Sequence, residues 1–339
     1  MKPSRRSHRF LRVLLGTAAA ISALVASAFA WYATTGISTA PLPLQFGIKP
    51  GSSLRAAAQE MQRAGVLRQP AYFILMARVL GETRNIKAGN YELTEPVTHY
   101  RLLRKIVYGD VTQATVKFIE GWTFRQLRKA LDDHPDLAHV TQGLSDEEIL
   151  KRLGIQDGSP EGLFFPDTYH FASGSSDLRI LRRAHRLMQS NLDTQWSQRA
   201  PGLPIATPYE ALILASIVEK ETGRDEERPL VAAVLVNRLR KGMLLQVDPT
   251  VIYGLGETFD GNLRKRDLLK DAPYNTYTRV GLPPTPIAMP GLASLTATLN
   301  PPASDVLYFV SRGDGTSHFS RTLGEHERAV TKYQRSGRR

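Results

Sequence analysis

The sequence predicts a mixed α+β protein that carries one N-terminal membrane-spanning helix and two exported domains. An uncharged apolar run covers residues 13–32. Behind it, several segments place apolar residues at helical spacing, and shorter segments alternate apolar and polar residues as strands do. The chain has 339 residues, of which 42% are hydrophobic. That length suits about two domains of roughly 150 residues each, with a sizeable core in each.

Positive charge is concentrated at the N-terminus. The formal net charge is +12, and no acidic residue precedes Glu60. A basic patch can bind nucleic acid, but the basic segment 1–12 lies directly before the apolar run, where cations set membrane orientation. We therefore expect no nucleic-acid partner. The sequence contains no cysteine, which excludes disulfides, Cys-ligated zinc and thiol nucleophiles.

Residues 13–32 are predicted to form a transmembrane helix. At 1.5 Å per residue the run spans about 30 Å, the thickness of a hydrocarbon core. Trp31 and Tyr32 close the run, as interfacial aromatic residues do. Segment 1–12 then stays in the cytoplasm and the rest of the chain lies outside. The alternative is a cleaved signal peptide, because residues 28–30 fit a small-x-small cleavage site. Both interpretations export the remaining chain.

The exported part divides into a linker, two domains and a tail. Residues 33–43 are rich in small residues and proline, which is typical of a linker. A small α+β domain is expected at 44–112, with helices near 54–64, 70–79 and 99–108. A larger mixed α+β domain is expected at 114–334, with a strand at 115–119, helices near 122–131, 178–196, 209–221 and 229–240, and a hairpin at 306–320. The basic tail 335–339 has no assigned role.

The most informative stretch is ASIVEKETG at 215–223, which ends an apolar helix. At 100° per residue, Glu221 shares a face with the bulky Leu214, Ile217 and Val218. An apolar surrounding desolvates a carboxyl, raises its pKa and keeps it protonated near neutral pH. Cleavage of a glycosidic bond needs such a proton donor. Glu221 is therefore the candidate catalytic acid, although a helix-terminal glutamate is more often a solvated charge or half of a salt bridge.

Glu219 lies about 200° around the helix from Glu221. Its face carries the smaller Ala215 and Ser216. We expect Lys220 or water to screen Glu219 there, and we keep it only as a candidate for substrate binding.

Two further stretches mix polar groups into apolar sequence. They are LQVDPTVIYG at 245–254 and YNTYT at 274–278, the second followed by the proline-rich GLPPTPIAMPG at 281–291. Amide, carboxylate and phenol side chains suit sugar binding, so the substrate-binding candidates are Glu219, Gln246, Asp248, Tyr253, Asn275 and Tyr277. The alternative is that these stretches are turns with buried polar anchors.

Other kinds of catalytic site are not indicated. No pair of histidines has the spacing of metal ligands, and the sequence has neither a P-loop nor a G-x-S-x-G elbow. We therefore expect no metal and no cofactor.

The order of seven motifs resembles the YceG-like endolytic murein transglycosylases, over residues 44 to 334. The motifs are EGWTF (120–124), EGLFFPDTY (161–169), ASIVEKETG (215–223), VNRLRKGM (236–243), LQVDPTVIYG (245–254), YNTYTRVGLPP (274–284) and LYFV (307–310). The resemblance implies a single N-terminal membrane helix and a small LysM-like subdomain, which maps to 44–112. It also implies a catalytic domain, here 114–334, whose essential glutamate is the second one of EKET, Glu221.

The resemblance further implies an activity and a location. Members cleave nascent peptidoglycan glycan strands at the MurNAc–GlcNAc bond, leave 1,6-anhydro-MurNAc ends and are linked to terminating strand elongation. The chain would lie in the inner (cytoplasmic) membrane beside the cell-wall synthesis machinery, with its catalytic domain outside. Two alternatives stay open. One is a hydrolytic muramidase with Asp248 as its second carboxylate, and the other is a non-enzymatic peptidoglycan-binding scaffold.

Overall fold

The computed structural model describes the backbone of residues 5–37, 42–156 and 158–335, and the side chains of residues 14–334 within those ranges. Residues 1–4 of the predicted cytoplasmic segment, 38–41 of the predicted linker and 336–339 of the basic tail lie outside the described residues. The chain forms two compact units. The first is Met1–Ala114 with Phe171–Ser175, and the second is Thr115–His170 with Ser176–Arg339.

The first unit begins with a long helix, α1, at Arg5–Thr34. Its part Leu14–Thr34 is long and apolar enough to cross a membrane, which fits a membrane anchor. The helix continues two residues beyond the predicted end at residue 32. The Thr34 hydroxyl donates a hydrogen bond to the carbonyl of Ala30, which satisfies a polar side chain within the helix itself.

The rest of the first unit is a small α+β domain. Its elements are β1 (Leu44–Ile48), α2 (Leu54–Arg63), α3 (Pro70–Val79), β2 (Gly89–Leu93) and α4 (His99–Tyr108). Strands β1 and β2 pair antiparallel with Phe46 opposite Tyr91, and these two rings stack in the core. Ser53 and Thr98 cap α2 and α4 by accepting hydrogen bonds from backbone N–H groups of the first turn. The predicted mixed α+β class is confirmed here.

The next elements along the chain are β3 (Gln113–Lys117), α5 (Phe124–Asp132), β4 (Leu137–Ala138), α6 (Asp146–Leu153), β5 (Thr168–Ala172) and β6 (Ser175–Ser176), with β3 paired to β5 and β4 to β6. Of these, α5, β4 and α6 lie within the second unit, and β3, β5 and β6 each extend across a boundary between the two units. Capping boxes begin α5 at Thr123 and α6 at Ser145, because each hydroxyl bonds a backbone N–H while the residue three positions on bonds back.

Helices dominate the rest of the second unit. They are α7 (Asp177–Ser197), α8 (Pro208–Glu221), α9 (Arg228–Arg240), α10 (Asp248–Leu255), α11 (Lys265–Leu269), α12 (Leu292–Leu299) and α13 (Leu323–Val330). A 3-10 turn follows α10 at Gly256–Thr258, and a π-helical turn follows α13 at Thr331–Arg335. Strands β7 (Tyr308–Ser311) and β8 (Ser317–Ser320) form an antiparallel hairpin in which Val310 lies opposite His318.

Helix α8 is the centre of this unit. It packs against α7, α9, α10 and α12, and every residue from 211 to 218 is buried. A helix that is apolar all round is buried all round, so Ala215 and Ser216 are as inaccessible as Leu214 and Ile217. The two faces of α8 that lead to Glu219 and Glu221 therefore do not differ in burial, contrary to the expectation of a single apolar face. Any difference between Glu219 and Glu221 must arise from the groups that each carboxyl contacts at the end of the helix.

Candidate active site

Glu221 is the last residue of α8, three residues beyond the fully buried segment that ends at Val218. It lines an open cavity of about 440 Å³ together with three predicted binding residues, Gln246, Asp248 and Tyr277. The cavity wall also includes Arg238, Leu245, Pro249, Phe309, Val310, Ser311, His326, Val330 and Gln334. The end of α8, the start of α10, the hairpin and α13 therefore form one cleft.

Burial raises the pKa of Glu221 to about 7, and the carboxylate of Asp248 adds to the rise. The Arg238 guanidinium opposes it. At neutral pH a carboxyl with this pKa is protonated and ionised in comparable amounts, which suits a group that must give a proton and then take one back. The apolar sequence of α8 predicts this cause, because apolar neighbours desolvate the Glu221 carboxyl.

Arg238 is a cleft residue that the sequence interpretation missed. Its side chain is 8% exposed. Its Nε donates to the carbonyl of Leu307 at 2.7 Å, and one Nη donates to the carbonyl of Leu245 at 2.8 Å. These carbonyls hold the guanidinium in place near Glu221. The sequence signal for Arg238 was a cation within VNRLRKGM, two residues after the six buried apolar residues at 231–236 of α9.

Asp248 and Tyr277 are joined across the cleft. The Tyr277 hydroxyl donates to Asp248 Oδ1 at 2.5 Å. The backbones beneath them are also linked, because Gln246 N–H donates to the carbonyl of Thr276 and Val247 N–H donates to the Thr276 hydroxyl. Gln246 adopts φ of 51°, a left-handed conformation that is uncommon for a residue other than glycine. The two polar stretches of the sequence thus form one wall.

Asn275 does not line the cleft. It is 2% exposed, and its Nδ2 donates to the carbonyls of Asp267, Leu268 and Lys270. Its Oδ1 accepts from the N–H of Tyr277. This is the buried polar anchor that the alternative interpretation described. Asn275 supports Tyr277 from behind.

Glu219 also lies away from the cleft, and the expected screening by Lys220 is not what the structure shows. The Glu219 carboxylate accepts from the Gly291 N–H at 2.9 Å and from the Ser294 hydroxyl at 2.7 Å. The Lys220 ammonium donates instead to the carbonyl of Gly121. Glu219 thus joins the end of α8 to the start of α12.

Tyr253 lines a different cavity, of about 600 Å³, between α5 and α10. Its hydroxyl donates to Glu161 Oε2 at 3.1 Å, and the Phe124 N–H donates to Glu161 Oε1 at 3.0 Å. Burial raises the pKa of Glu161 to about 7. This buried glutamate opens the EGLFFPDTY motif, and the sequence interpretation assigned it no role.

One group of side chains among the described residues has the composition of a metal site. Asp132, His139 and Asp177 place their ligand atoms within 4.8 Å of one another. The carboxylate of Asp177, however, accepts hydrogen bonds from Val140 N–H, from the N–H and hydroxyl of Thr141, and from Leu178 N–H. Four donors occupy the acceptor positions of a carboxylate, so Asp177 joins the segment at residues 140–141 to the first turn of α7.

Comparison with known proteins gives consistent results. The sequence model of the YceG-like family matches residues 46–332. An endolytic murein transglycosylase of Bacillus subtilis (strain 168) is 30% identical over 308 residues, which cover 86% of this chain and 84% of that protein. An endolytic murein transglycosylase of Streptococcus pneumoniae serotype 2 (strain D39 / NCTC 7466) is 27% identical over 324 residues, which cover 86% of this chain and 58% of that longer protein.

A solved structure is also similar. The crystal structure of a YceG-like protein from Listeria monocytogenes superposes with a TM-score of 0.54 at 29% identity. The alignment covers 84% of this chain and 98% of that one.

Proposed function

The chain belongs to the YceG-like family, and from that premise we propose that it is an endolytic murein transglycosylase in which Glu221 is both catalytic acid and catalytic base. Relatives that carry this name support the activity. The observation that carries the assignment of Glu221 is its position at the end of a buried helix, in a cleft, with a pKa raised by burial to about 7.

The proposed reaction starts with proton transfer. The Glu221 carboxyl protonates the oxygen that links MurNAc to GlcNAc, and the C1–O bond breaks with its electron pair on that oxygen. An oxocarbenium-like centre forms at C1 of MurNAc. The C6 hydroxyl of the same sugar attacks C1, and its proton passes to the Glu221 carboxylate. The products are a GlcNAc hydroxyl and a 1,6-anhydro-MurNAc end, Glu221 is protonated again, and no water is consumed.

The neighbours of Glu221 have complementary roles in this proposal. Arg238 stabilises the Glu221 carboxylate between the two proton transfers, and its carbonyl partners stop it from forming a closer ion pair. The Asp248 carboxylate, oriented by Tyr277, favours the protonated form of Glu221 at the start. A negative charge in the cleft also stabilises the cationic centre at C1.

The test is mass spectrometry of purified, uncrosslinked glycan strands digested by the full-length protein in detergent. Anhydro ends, lighter by one water than reducing ends, are the expected product. Reducing ends would favour the hydrolytic muramidase, and Asp248→Asn should then abolish them. Intact strands after incubation with a folded protein would favour the non-enzymatic scaffold. Glu221→Gln is the matched control for contaminating activity.

We also propose the finer localisation. The helix Leu14–Thr34 fits a membrane anchor, and the cations of segment 1–12 support an N-terminus in the cytoplasm with both units outside the inner membrane. A reporter fused after Arg339 should be active only outside the cytoplasm, and cytoplasmic activity would rule this topology out. Proximity to the cell-wall synthesis machinery and termination of strand elongation belong to the same proposal.

The LysM-like assignment of residues 44–112 is a proposal of the same kind. It is supported by the mixed α+β fold of this region, but fold alone does not establish binding. Deletion of the domain should weaken binding of the chain to peptidoglycan sacculi. Unchanged binding would make the domain a spacer or a partner site.

A further inference from the structure

The small domain of the first unit packs directly on the outer end of α1. Phe29, Tyr32 and Ala33 contact the same core as the domain's own buried residues. The Tyr32 ring stacks on His99 with centroids 4.1 Å apart and contacts the ring of Tyr72 at 5.8 Å. His99 Nδ1 also lies 3.1 Å from the carbonyl of Tyr32. The starts of α3 and α4 are thus held against the helix.

These contacts place the domain at the level of the membrane. The apolar segment of α1 ends at Thr34. Phe29 lies five residues before that end, which corresponds to about 7.5 Å along the helix axis. When α1 spans a bilayer, the part of the domain that contacts Phe29 lies at the edge of the hydrocarbon, with no stalk between them.

Helix α3 presents an unpaired apolar face beside this junction. Tyr72, Leu75 and Val79 are 55%, 55% and 63% exposed, whereas Phe73 and Met76 on the other side are buried. The spacing of three and four residues puts the exposed side chains on one face. A helix whose outer face met water would carry polar residues there. The face begins at Tyr72, the residue that contacts Tyr32 of the membrane helix.

A cation, Arg78, lies at the edge of this face. Arg78 is exposed one residue before Val79. An arginine at the rim of an apolar face can extend its charged group to the headgroups while its methylenes cover apolar surface. Tyrosine likewise suits the boundary, because its ring is apolar and its hydroxyl reaches the polar layer.

We propose that the face of α3 formed by Tyr72, Leu75 and Val79 inserts into the interfacial layer of the membrane that α1 crosses. The occupant of the face is lipid. Interfacial helices bury their apolar face to a depth of about 5–10 Å, which agrees with the level set by Phe29. The small domain then has two membrane contacts, the spanning helix α1 and the interfacial face of α3. Together they prevent the domain from rotating about the axis of α1.

The chain contains no cysteine, so single labelling sites can be introduced without other changes. The full-length variants Leu75→Cys and Val79→Cys are labelled with an environment-sensitive fluorophore and reconstituted into phosphatidylcholine–phosphatidylglycerol vesicles. Gln59→Cys is the matched control, because Gln59 is an exposed polar position on the neighbouring helix α2. Quenching is measured with lipid-borne nitroxides and with aqueous iodide.

Lipid nitroxides should quench the labels at 75 and 79 several-fold more than the label at 59, and iodide should show the reverse order. Iodide quenching at 75 and 79 equal to that at 59 would show the face in water and overturn the proposal. Protection from both quenchers would show a protein cover, such as a second copy, and would also overturn it. Circular dichroism of each variant checks folding, and no step of the experiment depends on glycan cleavage.

Discussion

Glu161 is a buried glutamate of the second unit and Glu221 a partly exposed one, and desolvation raises the pKa of each to about 7. They differ in what touches the carboxyl. Each Glu161 oxygen accepts a hydrogen bond, one from the Phe124 N–H and one from the Tyr253 hydroxyl. The Glu221 carboxyl accepts no hydrogen bond from a residue that the structure describes, and it opens onto the cleft beside Asp248 and Arg238.

The comparison shows that a raised pKa reports burial and does not by itself identify an acid catalyst. A catalytic acid also needs a free proton position that faces a substrate-sized space. Glu161 has its oxygens engaged by the first residue of α5 and by α10, so it links two elements. Glu221 has the same proton affinity with its carboxyl left open. The comparison therefore predicts catalysis for one glutamate and stability for the other.

Glu221→Gln should have the largest effect. The amide keeps the size and polarity of the side chain but has no transferable proton. General acid–base catalysis contributes on the order of 10²–10⁴-fold, so cleavage of uncrosslinked glycan strands should fall by that factor while the fold is kept. Circular dichroism confirms folding. A folded Glu221→Gln protein that cleaves strands near the wild-type rate would overturn the assignment.

Glu161→Ala should act on stability. Removal of the carboxyl leaves the Phe124 N–H and the Tyr253 hydroxyl without an acceptor in a buried site, which costs about 1–3 kcal/mol of unfolding free energy. Urea denaturation of wild type and variant measures the loss. The folded fraction of Glu161→Ala should retain a cleavage rate within about tenfold of wild type. This loss of activity is much smaller than the loss expected for Glu221→Gln. Equal losses of activity at both positions would break the comparison.

Glu161 should also give stability a pH dependence. Its pKa is raised from 4.5 to about 7 in the folded state, so the folded state binds the proton more tightly than the unfolded state does. Its contribution is complete below the unfolded pKa and is lost as pH rises through about 7. Glu161→Gln should flatten this decline between pH 5 and 8, measured as unfolding free energy against pH. An unchanged slope would show that Glu161 titrates normally.

The pH profile of cleavage should depend on Asp248. The first step needs protonated Glu221, so kcat/KM should decline as pH rises above about 7. Asp248 raises the pKa of Glu221, so Asp248→Asn should move this decline to lower pH. Gln246→Glu, which adds a carboxylate to the same cleft, is the opposite variant and should move the decline to higher pH. A midpoint that stays unchanged in both variants would mean that another group limits the profile.

Glu219→Gln should have the smallest effect. The amide oxygen can still accept from the Gly291 N–H or the Ser294 hydroxyl, and the loss of a hydrogen bond costs about 0.5–1.5 kcal/mol. The variant should keep a measurable rate of strand cleavage, with a modest drop in melting temperature. Loss of cleavage comparable to that of Glu221→Gln, in a folded protein, would assign Glu219 a direct part in the reaction.

Much of the secondary structure follows from local sequence. The apolar run, the capping residues Ser53, Thr98 and Thr123, and the apolar segment of α8 act over one or two helical turns. The predictions for α3 and α4 accordingly match their helices, whereas α1 begins eight residues before the predicted start at residue 13 and ends two residues after the predicted end. The prediction of Glu221 as the candidate acid has the same local basis, because burial of α8 follows from its apolar composition.

The roles of the polar residues were decided by tertiary structure. Asn275, Tyr253 and Glu219 have side chains of the kind that bind sugars, but each bonds within the protein. Asn275 donates to backbone carbonyls of a turn, Tyr253 donates to the buried Glu161, and Glu219 accepts from the start of α12. Arg238 gave little signal because its carbonyl partner at Leu307 lies 69 residues away. Hydrogen bonds over such separations depend on which elements pack together in the core. Periodicity and residue spacing report only on neighbours along the chain, so they do not predict these bonds. The sequence alone determined where the candidate acid lies along the chain, while only the packing of α8, α9 and α10 decided what surrounds it.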